Sequence, residues 1–336
     1  MARTPPRSSA PRGSGGRPEG GRSGRADGLG RPKSRAGNPL DPNRPVRDAR
    51  PTKGVASPRN RSGDNRVGSP DKDAKGLGGE QVEGRQAVRE LLRAGRRRTR
   101  EIWIVEDIDH APIVSEIEKL AAKHKVPVRY VPRGKLEREA RTDAPQGIVA
   151  KAAPLPEADL DELINARAAK GKLGPFLLLL DGVTDPHNLG ALLRSAEYAG
   201  VTGAVLPRHR AAHVTPTVAK SAAGAVEHVP ISVVAGLPAA LLRLGERGVW
   251  RIGLDQDATA DLYDLDLGDQ PVALVLGAEG EGLGRLTRAR CDAIVAIPRG
   301  GRIDSLNVSV AGAVACFEVA RRRAAALARS TAPAGD

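Results

Sequence analysis

Three places in this 336-residue sequence set polar side chains where chemistry could be done. The first runs Asp181-Gly182-Val183-Thr184-Asp185-Pro186-His187-Asn188, with Arg194 six residues beyond. The second is Leu276-Gly277-Ala278-Glu279-Gly280-Glu281-Gly282-Leu283-Gly284, a glycine-rich loop carrying two acids. The third is Ser305-Leu306-Asn307, shortly after Pro298-Arg299-Gly300-Gly301-Arg302. A glycine loop that leaves a strand and enters a helix suggests a nucleotide site. Here the spacing is neither G-x-G-x-x-G nor a Walker A, no lysine follows the glycines, and Glu279 and Glu281 would repel a pyrophosphate. A cationic or neutral ligand suits this loop better. Each stretch also has a plainer account: a capped helix with a solvated arginine, a turn that needs φ > 0, and a helix cap at Ser305 or Asn307.

The elements around these stretches can be read from pattern. Residues 176–180 are an apolar run too short for a solitary helix, which predicts a strand buried on both faces. Asn188 is the expected N-cap of the next helix, and Leu189, Leu192, Leu193 and Ala196 form its inward stripe. Arg194 falls about 140° around the wheel from that stripe and faces away from the helix's own core. Strands are expected over 203–206, 229–233, 249–254, 272–276 and 293–297, and helices over 217–222 and 237–247. That alternation implies an α/β fold with a mostly parallel sheet covered on both faces. From 306 to 320 nearly every residue is apolar or small, so the closing helix is expected to be buried around most of its circumference, partly against another subunit.

Composition divides the rest. Residues 1–79 hold 18 lysines and arginines against 7 acids, which leaves only +2 of the total charge of +13 for the remaining chain. With almost no apolar clusters, that stretch cannot offset its chain entropy and is expected to be a disordered basic tail. A cationic arm suits sequence-independent contact with nucleic acid, or serves only as a solubilising leader. No apolar h-region follows the early arginines and no run approaches a membrane span, so a cytoplasmic protein is expected. Cys291 and Cys316 lack metal or redox spacing and read as reduced core thiols, with no metal site.

Residues 80–152 read as a small α/β domain. Val82, Ala87, Val88, Leu91 and Leu92 mark a short helix, followed by a strand at 102–105, a helix at 113–124, and strands at 126–131 and 147–150. Arg85, Arg89, Arg93, Arg96, Arg97, Arg98 and Arg100 crowd its outer face and the turn beyond. They form either an RNA-binding patch or a solvated charged face. Residues 153–174 are a linker with one short helix at 160–169, and 175–330 form the domain that carries the three polar stretches.

Taken together, D-G-V-T-D-P-H-N-L-G-A-L-L-R-S-A at 181–196, L-G-A-E-G-E-G-L at 276–283 and I-P-R-G-G-R-I-D-S-L-N-V-S-V-A at 297–311 resemble motifs 1, 2 and 3 of the SpoU (TrmH) family of RNA 2′-O-ribose methyltransferases, in order and separation. Residues 80–150 are similar, more weakly, to the substrate-binding domain of its RlmB-like branch. The resemblance implies a C-terminal trefoil knot, an S-adenosylmethionine pocket, a homodimer and a guanosine ribose in large-subunit ribosomal RNA as substrate. It places the backbone around Leu276, Gly277, Ile297 and Leu306 at the cofactor, and Asn188, Arg194, Glu279, Ser305 and Asn307 at catalysis and substrate binding. The sequence departs from the branch at Pro145-Gln146-Gly147, where His-Gln-Gly is common, and at Arg299, where Met is frequent.

On this reading the protein brings a ribose oxygen in line with an activated methyl and handles one proton. Arg194 would stabilise developing alkoxide charge rather than act literally as a base, since guanidinium stays protonated. The proton acceptor is left among Arg194, Glu279 and solvent. Transfer RNA or an antibiotic-resistance site are variant targets. A reading of a different class is a non-catalytic RNA-binding or ribosome-assembly protein of the same fold. A dehydrogenase lacks its phosphate fingerprint here.

Overall fold

The computed structural model describes residues 76–166, 173–209, 211–267 and 270–331. The expected disorder of the basic tail concerns residues that, up to 75, lie outside this range. Its last residues, 76–79, do not belong to a tail. Leu77 N donates to Leu155 O at 2.9 Å and Gly78 bridges Val214, so this segment is docked.

The N-terminal elements are β1 (Gln81–Glu83), α1 (Arg85–Ala94), β2 (Thr99–Val105), α2 (Pro112–Lys123), β3 (Val128–Val131), α3 (Arg133–Glu139) and β4 (Ile148–Ala152). They form a four-stranded sheet in the order β1-β4-β2-β3, with β4 antiparallel to both β1 and β2, and β3 parallel to β2. Val82 belongs to a strand and not to the expected helix, because Gly84 at φ 94° turns the chain between them. Ala87, Val88, Leu91 and Leu92 of α1 are buried at the spacing read from the sequence. Helix α3 was not foreseen: only Leu136 of its residues is buried, so it has no apolar period to read.

After α4 (Leu160–Asn165) come β5 (Phe176–Leu180), α5 (Pro186–Tyr198), β6 (Gly203–Pro207), α6 (Pro216–Ser221), β7 (Ile231–Val234), α7 (Leu237–Glu246), β8 (Trp250–Leu254), β9 (Ala260–Asp261), β10 (Val272–Leu276), α8 (Arg285–Arg288), β11 (Ala293–Ala296) and α9 (Val308–Thr331). Seven strands pair in the order β7-β6-β5-β10-β8-β11-β9, every pair parallel. Side-chain alternation splits β5 between two cores: Leu178 and Leu180 pack with α5 and α9, Leu177 and Leu179 with α4 and α7. Both faces of the strand are therefore dry, as its unbroken apolar run requires.

The winding reverses beside β5. Strands β6 and β7 step outward on one side, whereas β10 lies on the other with β8 beyond it. In open parallel sheets a crevice forms outside the carboxyl ends of the strands at such a reversal. Helix α9 closes against this region. A Cβ added at Gly312 would stand 2.3 Å from Leu192 Cδ2 and 2.6 Å from Leu276 Cδ1, so the helix backbone lies directly on α5 and β10. The expectation that α9 is buried around most of its circumference is corrected within one chain. Ala315, Cys316 and Val319 are buried, but Val310 and Phe317 are exposed, and Phe317 packs on the exposed Tyr198 with ring centroids 5.9 Å apart.

The two sheets meet through a buried ion pair. Arg97, with 2% of its side chain exposed, donates from Nε to Glu227 Oε2 at 3.0 Å and from Nη2 to Glu227 Oε1 at 2.5 Å. Its Nη1 donates to Gly79 O and Ala153 O, each at 2.7 Å. Arg97 therefore does not lie on the outer basic face where the sequence pattern put it. Among the described residues no helix is long and apolar enough to cross a membrane.

Candidate active site

The three polar stretches follow β5, β10 and β11, at the carboxyl ends of strands in the parallel sheet. The N-cap of α5 is Asp185 rather than the expected Asn188: Asp185 Oδ2 accepts from Asn188 N at 2.9 Å, and Pro186 takes the first turn, where no donor is needed. Asn188 is thereby relieved of capping. Its Nδ2 donates to Glu279 Oε2 at 3.3 Å, and its Oδ1 accepts from Asn307 Nδ2 at 3.0 Å.

Each partner is held in turn. Asn307 caps α9, since its Oδ1 accepts from Ser309 N at 2.9 Å and from Ser309 Oγ at 2.6 Å. Glu279 stands on a tight turn closed by Ala278 N donating to Gly282 O at 3.0 Å and Gly282 N donating to Ala278 O at 2.9 Å. A Cβ at Gly277 would fall 2.1 Å from Gly282 C, so no other residue permits this closure. Asp181, which opens the first polar stretch, locks the loop's far end: its Oδ2 accepts from Gly284 N at 3.0 Å. Nor did pattern indicate that His187 Nδ1 lies 3.1 Å from Ser221 Oγ, tying α5 to α6.

The structure thus brings together Asn188, Glu279 and Asn307. Ser305 is exposed and joins no hydrogen bond among the described residues. Arg194 is exposed on α5, about 120° around and ~9 Å along the helix from Asn188. It makes no hydrogen bond or ion pair with the described residues and shares its face with Tyr198, four positions on. Leu276 is buried, Gly277 sits under the turn, Ile297 is half-buried, and Leu306 is 53% exposed beside Ile303 at 81%. A turn bearing Glu279 and Glu281, flanked by apolar side chains open to solvent, fits a ligand with an uncharged body and a positive centre. It does not suit a polyphosphate.

The basic face of the N-terminal unit is largely neutralised. Arg85 pairs with Asp109, and Arg89 and Arg93 both reach Glu90 and Glu116. Arg96 Nη1 donates to Glu227 O at 3.2 Å. Arg98 and Arg100 are exposed with side chains unpaired among the described residues. Glu90 also meets His228 at 3.0 Å across the junction of the two sheets. Burial pushes its carboxyl up, but hydrogen bonds from His228 and Arg89 and the charges of Arg89 and Arg93 outweigh this and hold it below the usual range.

Residues 175–317 match the SpoU rRNA methylase family, and residues 81–158 match the substrate-binding region of RNA 2′-O ribose methyltransferases. Over 242 residues the chain is 41% identical to the TrmH-family protein YacO of Bacillus subtilis (strain 168), covering 72% of this chain and 95% of YacO. The chain belongs to the SpoU methylase family. It is 42% identical over 247 residues to RlmB of Pseudomonas aeruginosa, named a 23S rRNA (guanosine-2′-O-)-methyltransferase, covering 73% of this chain and 97% of RlmB. Its fold is shared by the SpoU methyltransferase AviRb of Streptomyces viridochromogenes, solved in complex with AdoMet, with a TM-score of 0.61 at 24% identity over 73% of this chain and 90% of AviRb. The Asn188–Glu279–Asn307 cluster is therefore the meeting point of all three motifs in an RNA 2′-O-ribose methyltransferase of the SpoU type.

Proposed function

We propose that this SpoU methylase uses S-adenosylmethionine to methylate the ribose 2′-oxygen of a guanosine in 23S ribosomal RNA, acting as a homodimer. The observation that carries the reading is the convergence of Asn188, Glu279 and Asn307 at the carboxyl ends of β5, β10 and β11. The RlmB relative supports the guanosine and the 23S target, while the name of YacO spans tRNA and rRNA. Residues 80–152 serve as the substrate-binding domain, joined by a 153–174 linker to the 175–330 catalytic domain.

The backbone around Leu276, Gly277, Ile297 and Leu306 holds the cofactor, whose sulfonium supplies an activated methyl group. The acidic turn and the exposed Ile303 and Leu306 suit its charge and its adenosyl body. Asn188, fixed from both sides, orients the ribose hydroxyl, and Glu279 Oε1, without a partner among the described residues, takes its proton or passes it to water. Ser305, two positions before Asn307, is assigned to the same hydroxyl. Arg194 supplies the positive charge that meets the developing alkoxide. A second copy docked on the face of Tyr198, Val310 and Phe317 covers the exposed apolar side of α5 and α9, and sets each Arg194 at the junction with the other copy's cluster. We assign the family's knot to the segment between β11 and α9.

Incubating the full chain with methyl-labelled cofactor and large-subunit RNA tests the reading, with alkali-resistant label at one guanosine as the expected result. RNA binding without label transfer would instead identify a non-catalytic RNA-binding protein of the same fold.

A further inference from the structure

A cleft of about 420 Å³ opens in the N-terminal unit, between the end of β2, α3 and the 143–147 loop. Its floor is apolar, formed by the buried Val105, Ile108 and Leu136. Most charges on its rim are spent on one another: Arg85 pairs with Asp109, and Arg133 Nη2 donates to Asp107 Oδ2 at 3.0 Å. Left over are the exposed carboxylates of Glu137 and Asp143, which have no hydrogen-bond or ion-pair partner among the described residues.

The wall that carries Asp143 is built. Buried Glu83 accepts from Arg141 N at 2.7 Å and from Thr142 N at 3.0 Å, anchoring the loop just before it. Three residues on, Gln146 is held at φ 54°, in the left-handed region that non-glycine residues avoid, and its Oε1 accepts from Arg85 N at 3.1 Å. Backbone strain of this kind persists where a structure is committed to a shape, and it collects at binding sites.

A cleft with Val105, Ile108 and Leu136 at its base and unspent carboxylates at its edge would repel a phosphate. It suits a nucleobase, whose face lies on the floor while its edge donates to the rim. Guanine is the base that offers two adjacent N–H groups to one carboxylate. A metal is not indicated, since no group of His, Cys, Asp and Glu among the described residues could hold one.

The cleft also connects to the motif cluster. A Cβ on Gly84 would lie 3.2 Å from Gln146 Oε1 and 3.9 Å from Lys220 Cγ, so Lys220 adjoins the cleft's edge. Lys220 has no side-chain partner among the described residues. It precedes Ser221, which meets His187 at 3.1 Å, and His187 precedes Asn188. Lys220 at the cleft's edge and Asn188 of the motif cluster are thus each one residue from the His187–Ser221 contact that joins α6 to α5.

We propose that this cleft receives an unstacked guanine flanking the nucleotide to be methylated, with Glu137 or Asp143 accepting from its Watson–Crick edge and Lys220 meeting the intervening phosphate. The proposal rests on the RNA reading above and deepens it by naming a specificity subsite. Anisotropy of fluorescein-labelled U4-G-U4, U4-A-U4 and U4-inosine-U4, titrated with the full chain in the absence of cofactor, provides the test. The guanine oligomer is expected to bind on the order of 10-fold tighter than the other two. The E137Q/D143N variant should lose that preference while keeping its affinity for U9. K220A should weaken all oligomers alike and lower the salt slope by about one. Equal affinity for the three RNAs, or a preference unchanged in E137Q/D143N, overturns the proposal. An arginine-rich peptide that binds with the same variant dependence, while the RNAs do not discriminate, overturns it in favour of a protein ligand. Methyl transfer measured on the same preparations separates the outcomes: transfer without base discrimination removes the subsite alone, and discrimination without transfer supports the subsite while removing the catalytic reading.

Discussion

Asn307 Nδ2 donates to Asn188 Oδ1 across 3.0 Å, joining side chains 119 positions apart in the chain. The same Asn307 caps α9, whereas Asn188 caps nothing. This asymmetry separates their roles. Asn188→Ala leaves the Asp185 cap in place and should lower methyl transfer roughly 100-fold with little change in Tm, the order seen when one transition-state hydrogen bond is removed. Asn307→Ala should lower transfer as well and cost about 1 kcal/mol of stability through the lost cap. Turnover with labelled cofactor and thermal unfolding, run on both variants, checks the distinction.

Arg194 projects from α5 with no partner among the described residues, so its removal leaves no buried group unsatisfied. Arg194→Ala should fold and bind S-adenosylmethionine normally by calorimetry, yet lose on the order of 10²–10³ in single-turnover rate. Near-normal turnover would sink the role given to it.

Breaking the Arg97–Glu227 pair should be costly because either partner, left alone, is a buried unpaired charge. Arg97→Ala or Glu227→Ala is expected to lose about 3–5 kcal/mol by urea unfolding. The double variant R97M/E227L should lose much less, since it removes both charges together.

Four carboxylates are held below their ordinary values: Asp292 chiefly by its hydrogen bond from Arg251, Glu318 chiefly by its hydrogen bond from Arg321, Asp109 chiefly by its hydrogen bond from Arg85, and Glu90 by His228 and Arg89 against the opposing push of burial. A depressed carboxylate contributes stability that is fully present above its unfolded value and is lost as pH falls through the folded one. The urea midpoint should therefore hold from pH 7 to about pH 5 and fall below about pH 4.5. Glu90→Gln should flatten that acid limb. A midpoint of Glu90→Gln that tracks the parent down to pH 3 would remove Glu90 from the account.

Burial pushes the Cys291 thiol up to about 11 and the Cys316 thiol up to about 12. Neither is a thiolate at pH 8, so alkylation by iodoacetamide should be slow in the native protein and rapid in urea. Cys316, fully buried under α5 and β10, should react only on unfolding.

Much of this architecture was legible because its burial is periodic. The apolar runs of β5 and β10 and the Leu189, Leu192, Leu193, Ala196 stripe of α5 declare themselves, and all are buried. Helix α3 and the two-residue strand β9 bury too little to leave a pattern. The site was legible in its residues but not in its wiring. Asp185 and Asn188 are both good caps by composition, and only the backbone path through Pro186 decides between them. Likewise, Arg97 is one of seven arginines between 85 and 100, and nothing local marks it as the one facing Glu227, 130 positions away.

That ion pair has a consequence for selection of RNA. With Arg97 gripped by Glu227 and by the carbonyls of Gly79 and Ala153, the four-stranded unit is pinned at this point to the domain of the parallel sheet. RNA that reached both units would meet them at a spacing this pair helps to set, and its bend would then count alongside its sequence.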